Sequence, residues 1–255
     1  FSSETSNFGI LHLDPRKQGI DTTLGLLAEK LDCFCVGGLS SSRDQTIQIA
    51  GGVKSGEITG AILSDSISLM TALTQSCVPV SSEMAITDYK NNIIFKLDGK
   101  PALEVLKEVI EDQGKTNTQF QPEHILVALP IIGSDTGEYL VRNLVGIDVE
   151  NDSFAINDIV ETSATISFCR RDAEAAELDL LETIRKLKKR LPSAPRGGIY
   201  FSCLARGPNM FNGSSRELKL IQSELGELPI IGLFCNGEIS NQRLYAYTGV
   251  LTLFL

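Results

Sequence analysis

Short apolar runs alternate with amphipathic stretches near both ends of the chain, and the two ends share one order of elements. The N-terminal copy predicts a strand, a helix, a strand, a glycine turn and a strand pair: Phe8–Leu13, Asp21–Leu31, Cys33–Val36, Gly37-Gly38 and Gly60–Leu73. The C-terminal copy predicts a strand, a helix, a strand, a polar turn and a last strand: Ile199–Cys203, Ser214–Leu225, Ile230–Phe234, Asn236-Gly237-Glu238 and Tyr247–Leu255. Apolar residues at helical spacing, such as Leu24 and Leu27, support the helices. The pattern therefore indicates an internal repeat.

The segment between the two copies is richer in strands. Ser82–Asp88 and Ile93–Leu97 flank the polar pair Asn91-Asn92 and predict a β-hairpin. Pro101 is favoured in the first turn of a helix that we expect to end near Asp112. Hairpins and helices together indicate a mixed α/β protein.

The expected fold is of the α/β class with α+β character. It comprises two pseudosymmetric α/β domains whose mixed or antiparallel sheets are flanked by helices. A polar stretch without periodicity, Gly114–Gln121, is the best candidate for a linker. We therefore expect domains at residues 1–113 and 114–255.

Composition and charge exclude two classes of partner. Hydrophobic residues make up 42% of the chain and charged residues 22%, which is ordinary for a globular protein. The net charge of −9 argues against a nucleic-acid surface, which needs clustered basic residues. No apolar stretch approaches the roughly 20 residues of a membrane span. We expect a cytoplasmic protein, or one of the plastid stroma in a photosynthetic host.

The six cysteines mostly lie in apolar, strand-like runs, which predicts buried free thiols in a reducing compartment. Cys33 and Cys35 form a C-x-C pair whose side chains point to one face of a strand, whereas structural zinc usually uses C-x-x-C pairs. We expect neither disulfides nor bound metal. The chain starts at Phe1 without a signal-peptide pattern, so we expect a processed chain or a fragment.

Catalytic constellations are not evident, and the sequence favours a protein that is not an enzyme. A Cys–His pair would need His12 or His124, and both are more typical of packed or edge imidazoles. Ser40-Ser41-Ser42 lacks the context of a nucleophile elbow. Gly37-Gly38 and Gly51-Gly52 do not match a dinucleotide-binding fingerprint.

Polar groups after apolar strands are the candidates for binding. Arg206 could hold a carboxylate through two parallel hydrogen bonds, while Glu238 and Asn236 could meet an ammonium or amide group. Together they would suit an amino-acid-like zwitterion. Equally, Arg206 and Glu238 could pair with each other and brace two turns. The predicted ligand-binding residues are Gly37, Gly38, Ser40, Ser202, Cys203, Arg206, Asn236, Gly237, Glu238 and Tyr247.

A series of short motifs runs through the chain in a specific order. The later ones are Tyr200-Phe201-Ser202-Cys203, Arg206-Gly207, Arg216–Leu225, Pro229–Phe234, Asn236-Gly237-Glu238-Ile239 and Tyr245–Leu255. Two earlier ones are Val36-Gly37-Gly38-Leu39 and Leu97-Asp98-Gly99-Lys100-Pro101-Ala102-Leu103-Glu104-Val105. The series resembles the FIST family, a sensory domain pair proposed to bind small ligands, over nearly the whole chain.

The resemblance implies a FIST N-type domain over 1–113, lacking its upstream part, and a FIST C-type domain over 114–255. It also implies a non-catalytic sensory module that binds an amino-acid-like ligand without a cofactor and signals to a partner protein. Two alternatives stay open. One is a heme-binding gas sensor, for which His12 or His124 would be the axial ligand. The other is a ligand-free scaffold or adaptor subunit of a larger complex.

Overall fold

The computed structural model describes residues 7–17, 19–55, 58–116, 121–131, 137–161, 164–211, 213 and 215–255. They form two compact units. Unit 1 combines the described residues up to Ser76 with Ala173–Leu255, and unit 2 is Cys77–Asp172. The unit 1 sheet contains parallel and antiparallel pairs and the unit 2 sheet antiparallel pairs, so the predicted mixed α/β class is confirmed.

The helices are α1 (Ile20–Leu31), α2 (Ala102–Thr116), α3 (Ala173–Arg190), α4 (Gly207–Phe211) and α5 (Arg216–Leu225), with a 3-10 helix at Pro122–His124. The strands of the first half are β1 (Asn7–Leu13), β2 (Cys33–Ser40), β3 (Ile47–Ile49), β4 (Val53–Ser55), β5 (Ile58–Leu63), β6 (Leu69–Gln75), β7 (Cys77–Pro79), β8 (Met84–Lys90), β9 (Ile93–Leu97) and β10 (Lys100–Pro101). Those of the second half are β11 (Ile125–Pro130), β12 (Tyr139–Arg142), β13 (Leu144–Asp148), β14 (Ser153–Ile156), β15 (Thr165–Arg171), β16 (Gly197–Cys203), β17 (Ile230–Ser240), β18 (Arg243–Tyr245) and β19 (Thr248–Phe254).

The sheet of unit 1 contains both copies of the repeat. Its strand order is β5-β1-β2-β17-β16-β19-β6, with β18 paired to β17. Strands β1 and β2 are parallel and joined through α1, and β16 and β17 are parallel and joined through α4 and α5. Because β2 pairs antiparallel with β17, the copies are related by an approximate twofold axis. The copies therefore share one sheet, whereas the sequence suggested a separate domain for each.

The centre of this sheet repeats a short motif. Phe34–Ser40 and Phe234–Ser240 both read F-C-x-G-x-(Leu or Ile)-S. Gly37 (φ 144°) and Gly237 (φ 129°) hold equivalent positive-φ positions, and β17 bulges between Cys235 and Glu238. The prediction of turns at these glycines is wrong, because both stretches continue as paired strands. Glycine here serves a bulge inside a sheet rather than a chain reversal.

Three helices of unit 1 cover two apolar clusters of its sheet. Leu24 and Leu27 of α1 pack with Leu11, Cys35 and other residues of β1 and β2, as the helical spacing predicted. Helices α3 and α5 pack on β16, β19 and β6 through a second cluster that includes Tyr200. Helix α1 begins at Ile20, one residue before the predicted start at Asp21, and α5 begins at Arg216. Ser214, the predicted start of α5, lies outside the described residues.

Unit 2 is an antiparallel sheet with one helix. The strand order is β12-β11-β15-β8-β9-β14-β13, with β7 beside β15 and β10 beside β9. The predicted hairpin is confirmed, since β8 pairs with β9 across Asn91 in the left-handed region. Helix α2 packs Leu103 and Leu106 into a core with Phe154 and Phe168. Residues 113 and 114, where the sequence placed its domain boundary, lie within α2, and that boundary stays a prediction. Among the described residues, no helix is long and apolar enough to cross a membrane.

Candidate functional site

A buried ion pair lies at the end of strand β16. The side chain of Arg206 is fully buried, and its Nε donates to Oε1 of Glu217 on α5 over 2.7 Å. The carboxylate of Glu217 also accepts from the Tyr200 hydroxyl (2.6 Å) and from Ser202 Oγ (2.8 Å). Tyr200 and Ser202 lie two residues apart on β16, so their side chains point to the same face of the sheet. Arg206 therefore pairs with Glu217, and the suggested Arg206–Glu238 brace is not found.

The other atoms of the Arg206 guanidinium contact residues from other segments of the chain. Nη1 of Arg206 donates to Ser76 Oγ, which in turn donates to the carbonyl of Tyr247 over 2.7 Å. The guanidinium carbon lies 5.4 Å from the ring centroid of Phe211, within the range of a cation–π contact. Among the described residues, Nη2 has no hydrogen-bond partner. An unpaired donor at such a buried position is costly unless a water molecule or a ligand meets it.

Glu238 forms the second buried carboxyl group of the site. Its Oε2 accepts from Thr248 Oγ1 (2.8 Å) and from the Thr248 amide (3.2 Å), while Oε1 has no partner within the described chain. Burial raises the pKa of Glu238 to about 8, although the hydrogen bonds from Thr248 and the charge of Arg206 act in the opposite direction. At neutral pH the protonated form of Glu238 therefore predominates.

A cleft of about 260 Å³ opens beside this cluster. Its polar wall is formed by Tyr200, Ser202 and Glu217, which contact one another. Arg216 and Ser215 also line the cleft. The other lining residues are apolar or small: Gly207, Pro208, Leu218, Gly232, Leu233 and Phe234. Ser202 is the predicted binding residue that lines the cleft. Arg206 lies behind the wall, in contact with Glu217.

The remaining predicted residues lie around the Glu238 side of the site. Gly38 pairs directly with Glu238 across β2 and β17, and Ser40 pairs with Cys235. Cys203 lies at the end of β16, where burial raises the pKa of its thiol to about 12. Gly37 and Gly237 are buried in the sheet, and Asn236 is exposed. Tyr247 has a positive φ of 61° and contributes its carbonyl oxygen to Ser76.

Several residues of the site were missed by sequence reasoning. Glu217 lay within a predicted helix and was not among the predicted binding residues, yet it is buried and accepts hydrogen bonds from three residues of the cluster. One signal was available: Glu217 lies one turn before Leu220 and Ile221, on the face of α5 that packs inward. Ser76 and the cleft residue Phe234 have no comparable signal, because their neighbours are distant in sequence.

Neither histidine lies in a recognisable cofactor site. His12 belongs to β1, where its ring packs edge-on against Phe201 at 5.9 Å and burial lowers its pKa. His124 is exposed in the 3-10 helix of unit 2. Over the described ranges, no three His, Cys, Asp or Glu side chains lie close enough to hold a metal ion. All six cysteines are buried with free thiols.

Comparison with known proteins gives two family matches and several relatives. Residues 3–100 match the family model of the FIST N domain, and residues 102–241 match that of the FIST C domain. Uncharacterized protein Rv0628c of Mycobacterium tuberculosis is 29% identical over 194 residues, covering 73% of this chain and 51% of that protein. Uncharacterized protein Mb0898c of Mycobacterium bovis is 29% identical over 191 residues, covering 72% and 50%. The chain thus spans about half the length of these curated relatives.

Proposed function

Because this chain belongs to the FIST family, we propose that it is a non-catalytic module that binds a small ligand and signals occupancy to a partner protein. FIST domains are associated with sensory and signalling roles. The observation that carries the proposal is the cleft beside the Arg206–Glu217 pair. A concave, largely apolar space with a few convergent polar groups is the usual form of a small-molecule site.

The chemistry of the cleft suits an amino-acid-like ligand. Glu217 accepts three hydrogen bonds, and a carboxylate has about four acceptor positions, so one stays available for an ammonium group. Arg216 lies at the cleft with 46% of its side chain exposed and holds Glu177 through two hydrogen bonds. A ligand carboxylate would approach this guanidinium, and an apolar side chain would contact Phe234 and Leu218. This replaces the suggested grip by Arg206, which is enclosed.

The site supports binding rather than catalysis. A cysteine nucleophile needs its thiolate form, and burial raises the pKa of Cys203 to about 12. The carboxylate of Glu217 accepts hydrogen bonds from Tyr200, Ser202 and Arg206 and so holds the cluster together. Because the thiols are free and buried, we place the protein in a reducing compartment such as the cytoplasm.

A ligand-free adaptor is the second candidate function, and exposed residues of unit 2 favour it. Val145, Ile147 and Val149 are 55%, 58% and 69% exposed on or beside β13, an edge strand of its sheet. Val145 lies at an irregularity of the strand and Val149 follows its end, so the three side chains form a short exposed apolar patch along this edge. Such a patch is typical of a protein-binding surface. It would also serve the partner of a ligand sensor.

Native mass spectrometry of the purified protein tests whether a small ligand is bound. Thermal unfolding is then measured in the presence of each proteinogenic amino acid in turn. A co-purifying small molecule, or a rise in melting temperature with one amino acid, supports the sensor. If no small molecule co-purifies and no amino acid raises the melting temperature, the result supports the ligand-free adaptor. A visible absorption spectrum belongs to the same experiment, because a heme band would contradict both candidates and support a gas sensor.

A further inference from the structure

The C-x-C pair of strand β2 forms a second candidate site in unit 1, separate from the cleft beside Glu217. Cys33 and Cys35 point to the same face of β2, and their sulfur atoms lie 3.3 Å apart. Neither thiol has a role in the Arg206–Glu217–Glu238 cluster. Both are close-packed against the same point of the neighbouring strand β1, at Gly9.

Glycine at position 9 leaves room for both sulfur atoms. A Cβ added to Gly9 would lie 3.1 Å from Cys35 Sγ and 3.2 Å from Cys33 Sγ, which is tighter than ordinary contact. Any larger residue would therefore press on both thiols at once. The chain thus holds the two sulfur atoms side by side over a floor that lacks a side chain.

One of the two thiols is reachable from outside. A cavity of about 320 Å³ is lined by Cys33 together with Glu29, Asp32 and Asn241, among others. Cys33 is 8% exposed and Cys35 is 1% exposed, so a small reagent reaches Cys33 first. The carboxylates of Glu29 and Asp32 disfavour anionic reagents at this entrance and leave neutral ones unaffected.

Two kinds of dithiol chemistry are open to this pair. A disulfide would bring the two sulfur atoms from 3.3 Å to about 2.05 Å, which would bend the extended strand that carries both residues. A third atom that bonds to both sulfur atoms bridges them. The sulfur atoms then form no bond with each other and need not move closer together. We propose that Cys33 and Cys35 form a chelating site for neutral trivalent arsenicals, which bind pairs of adjacent thiols.

The reaction balances without an oxidant. An arsenical with an As=O group and two thiols gives two As–S bonds and one water molecule. The two thiol protons and the arsenical oxygen leave as that water, and arsenic stays trivalent. Because burial raises the pKa of Cys35 to about 12, that thiol enters the reaction protonated. Cys33 is the less buried of the two and is bound first.

Phenylarsine oxide tests the proposal on the folded chain. One equivalent should form a covalent adduct that survives excess monothiol and is released by a dithiol such as dimercaprol. The adduct should be lost in Cys33→Ser and in Cys35→Ser, because each variant keeps a single thiol of this pair. It should persist in Cys77→Ala, a control that removes one member of the other hydrogen-bonded thiol pair, Cys77–Cys169, and whose cysteine is similarly buried at 5% exposure. Persistence of the monothiol-resistant adduct in either serine variant would overturn the assignment.

A second measurement on the unmodified chain does not depend on folding of the variants. After arsenical treatment the chain is unfolded in denaturant and its free thiols are alkylated. Dimercaprol then releases the arsenical, and the freed thiols receive a heavy alkylating label. Trypsin cleavage after Lys30 and Arg43 isolates Cys33 and Cys35 in a peptide that contains no other cysteine. The heavy label should appear in this peptide. Its appearance on other cysteines instead, or a failure of the wild-type chain to form the adduct, would refute the site.

Discussion

Gly38 of β2 lies directly opposite Glu238 of β17, and the two residues hold the same position in the repeated F-C-x-G-x-(Leu or Ile)-S motif. The approximate twofold axis of unit 1 therefore passes through this pair. One copy of the repeat places a glycine there and the other a buried carboxyl group. The twofold arrangement of the backbone is thus combined with a one-sided placement of a buried polar group, and the candidate site forms beside the C-terminal copy.

Removing the buried cation should destabilise the fold. Arg206→Ala leaves the Glu217 carboxylate buried without its charged partner, and breaking a buried pair in this way costs about 3–5 kcal/mol of unfolding free energy. Urea unfolding measures the loss, with the exposed Arg43→Ala as the matched control. The combined Arg206→Met and Glu217→Met variant should lose less than the sum of its single changes. Strict additivity would show that the pair is not coupled.

Glu238 should make stability depend on pH in a defined direction. Its pKa rises from 4.5 to about 8 on folding, so the folded state binds more protons between these values. Stability is then greatest at the acid end of this window and falls as pH rises through it. Melting temperatures of the wild type and Glu238→Gln, measured across the window, should diverge, with the variant gaining relative to the wild type at higher pH. Parallel curves would contradict the raised pKa.

Two glycine substitutions should change stability in opposite directions. Gly37→Ala places a Cβ 1.8 Å from the carbonyl oxygen of Leu11 at a φ of 144°, which should cost roughly 1–3 kcal/mol or more. Gly25→Ala lies within α1 with no atom near the added methyl group, and should stabilise by about 0.5–1 kcal/mol. Chemical denaturation of both variants provides the comparison. A neutral Gly37→Ala would show that β2 can shift away from β1.

The cleft can be tested without disturbing the buried cluster. Phe234→Ala removes a ring that is 42% exposed and lines the cleft, so affinity for an amino acid that raises the melting temperature should fall about tenfold. Ile231→Ala, on the same strand but not among the residues lining the cleft, is the matched control and should bind normally. Isothermal titration calorimetry separates the two. Equal loss in both variants would place the ligand elsewhere.

The sequence predicted local elements better than their partners. Helix and strand patterns identified the repeat because Leu24, Leu27 and their counterparts follow backbone periodicity. The shared sheet was not predictable, because pairing of β2 with β17 joins segments from opposite ends of the chain. Asn236 and Gly237 have the composition of a turn, yet they lie at a bulge within β17, which continues to pair with β2 beyond them. The residue type determines which backbone conformations are accessible, and tertiary contacts determine which of them the chain adopts.

The candidate site shows the same limit. Arg206 was identified as a charged group after an apolar strand, and it belongs to the buried cluster behind one wall of the cleft. The sequence left its partner open between a ligand and Glu238, whereas its ion-pair partner is Glu217, because α5 folds back over β16. The choice between two glutamates depends on the packing of a helix, which no spacing along the chain encodes. Whether the predicted residues bind a ligand stays a prediction.

The sheet of unit 1 is built from both ends of the chain, and this has a consequence for the order of folding. Strand β2 emerges from the ribosome long before β17, its antiparallel neighbour. Unit 2 is continuous and can complete its sheet while β2 still has one open edge. An unpaired edge is a template for wrong pairing. The nascent chain therefore passes through a stage in which β2 needs protection, and translation pauses after residue 172 would lengthen that stage.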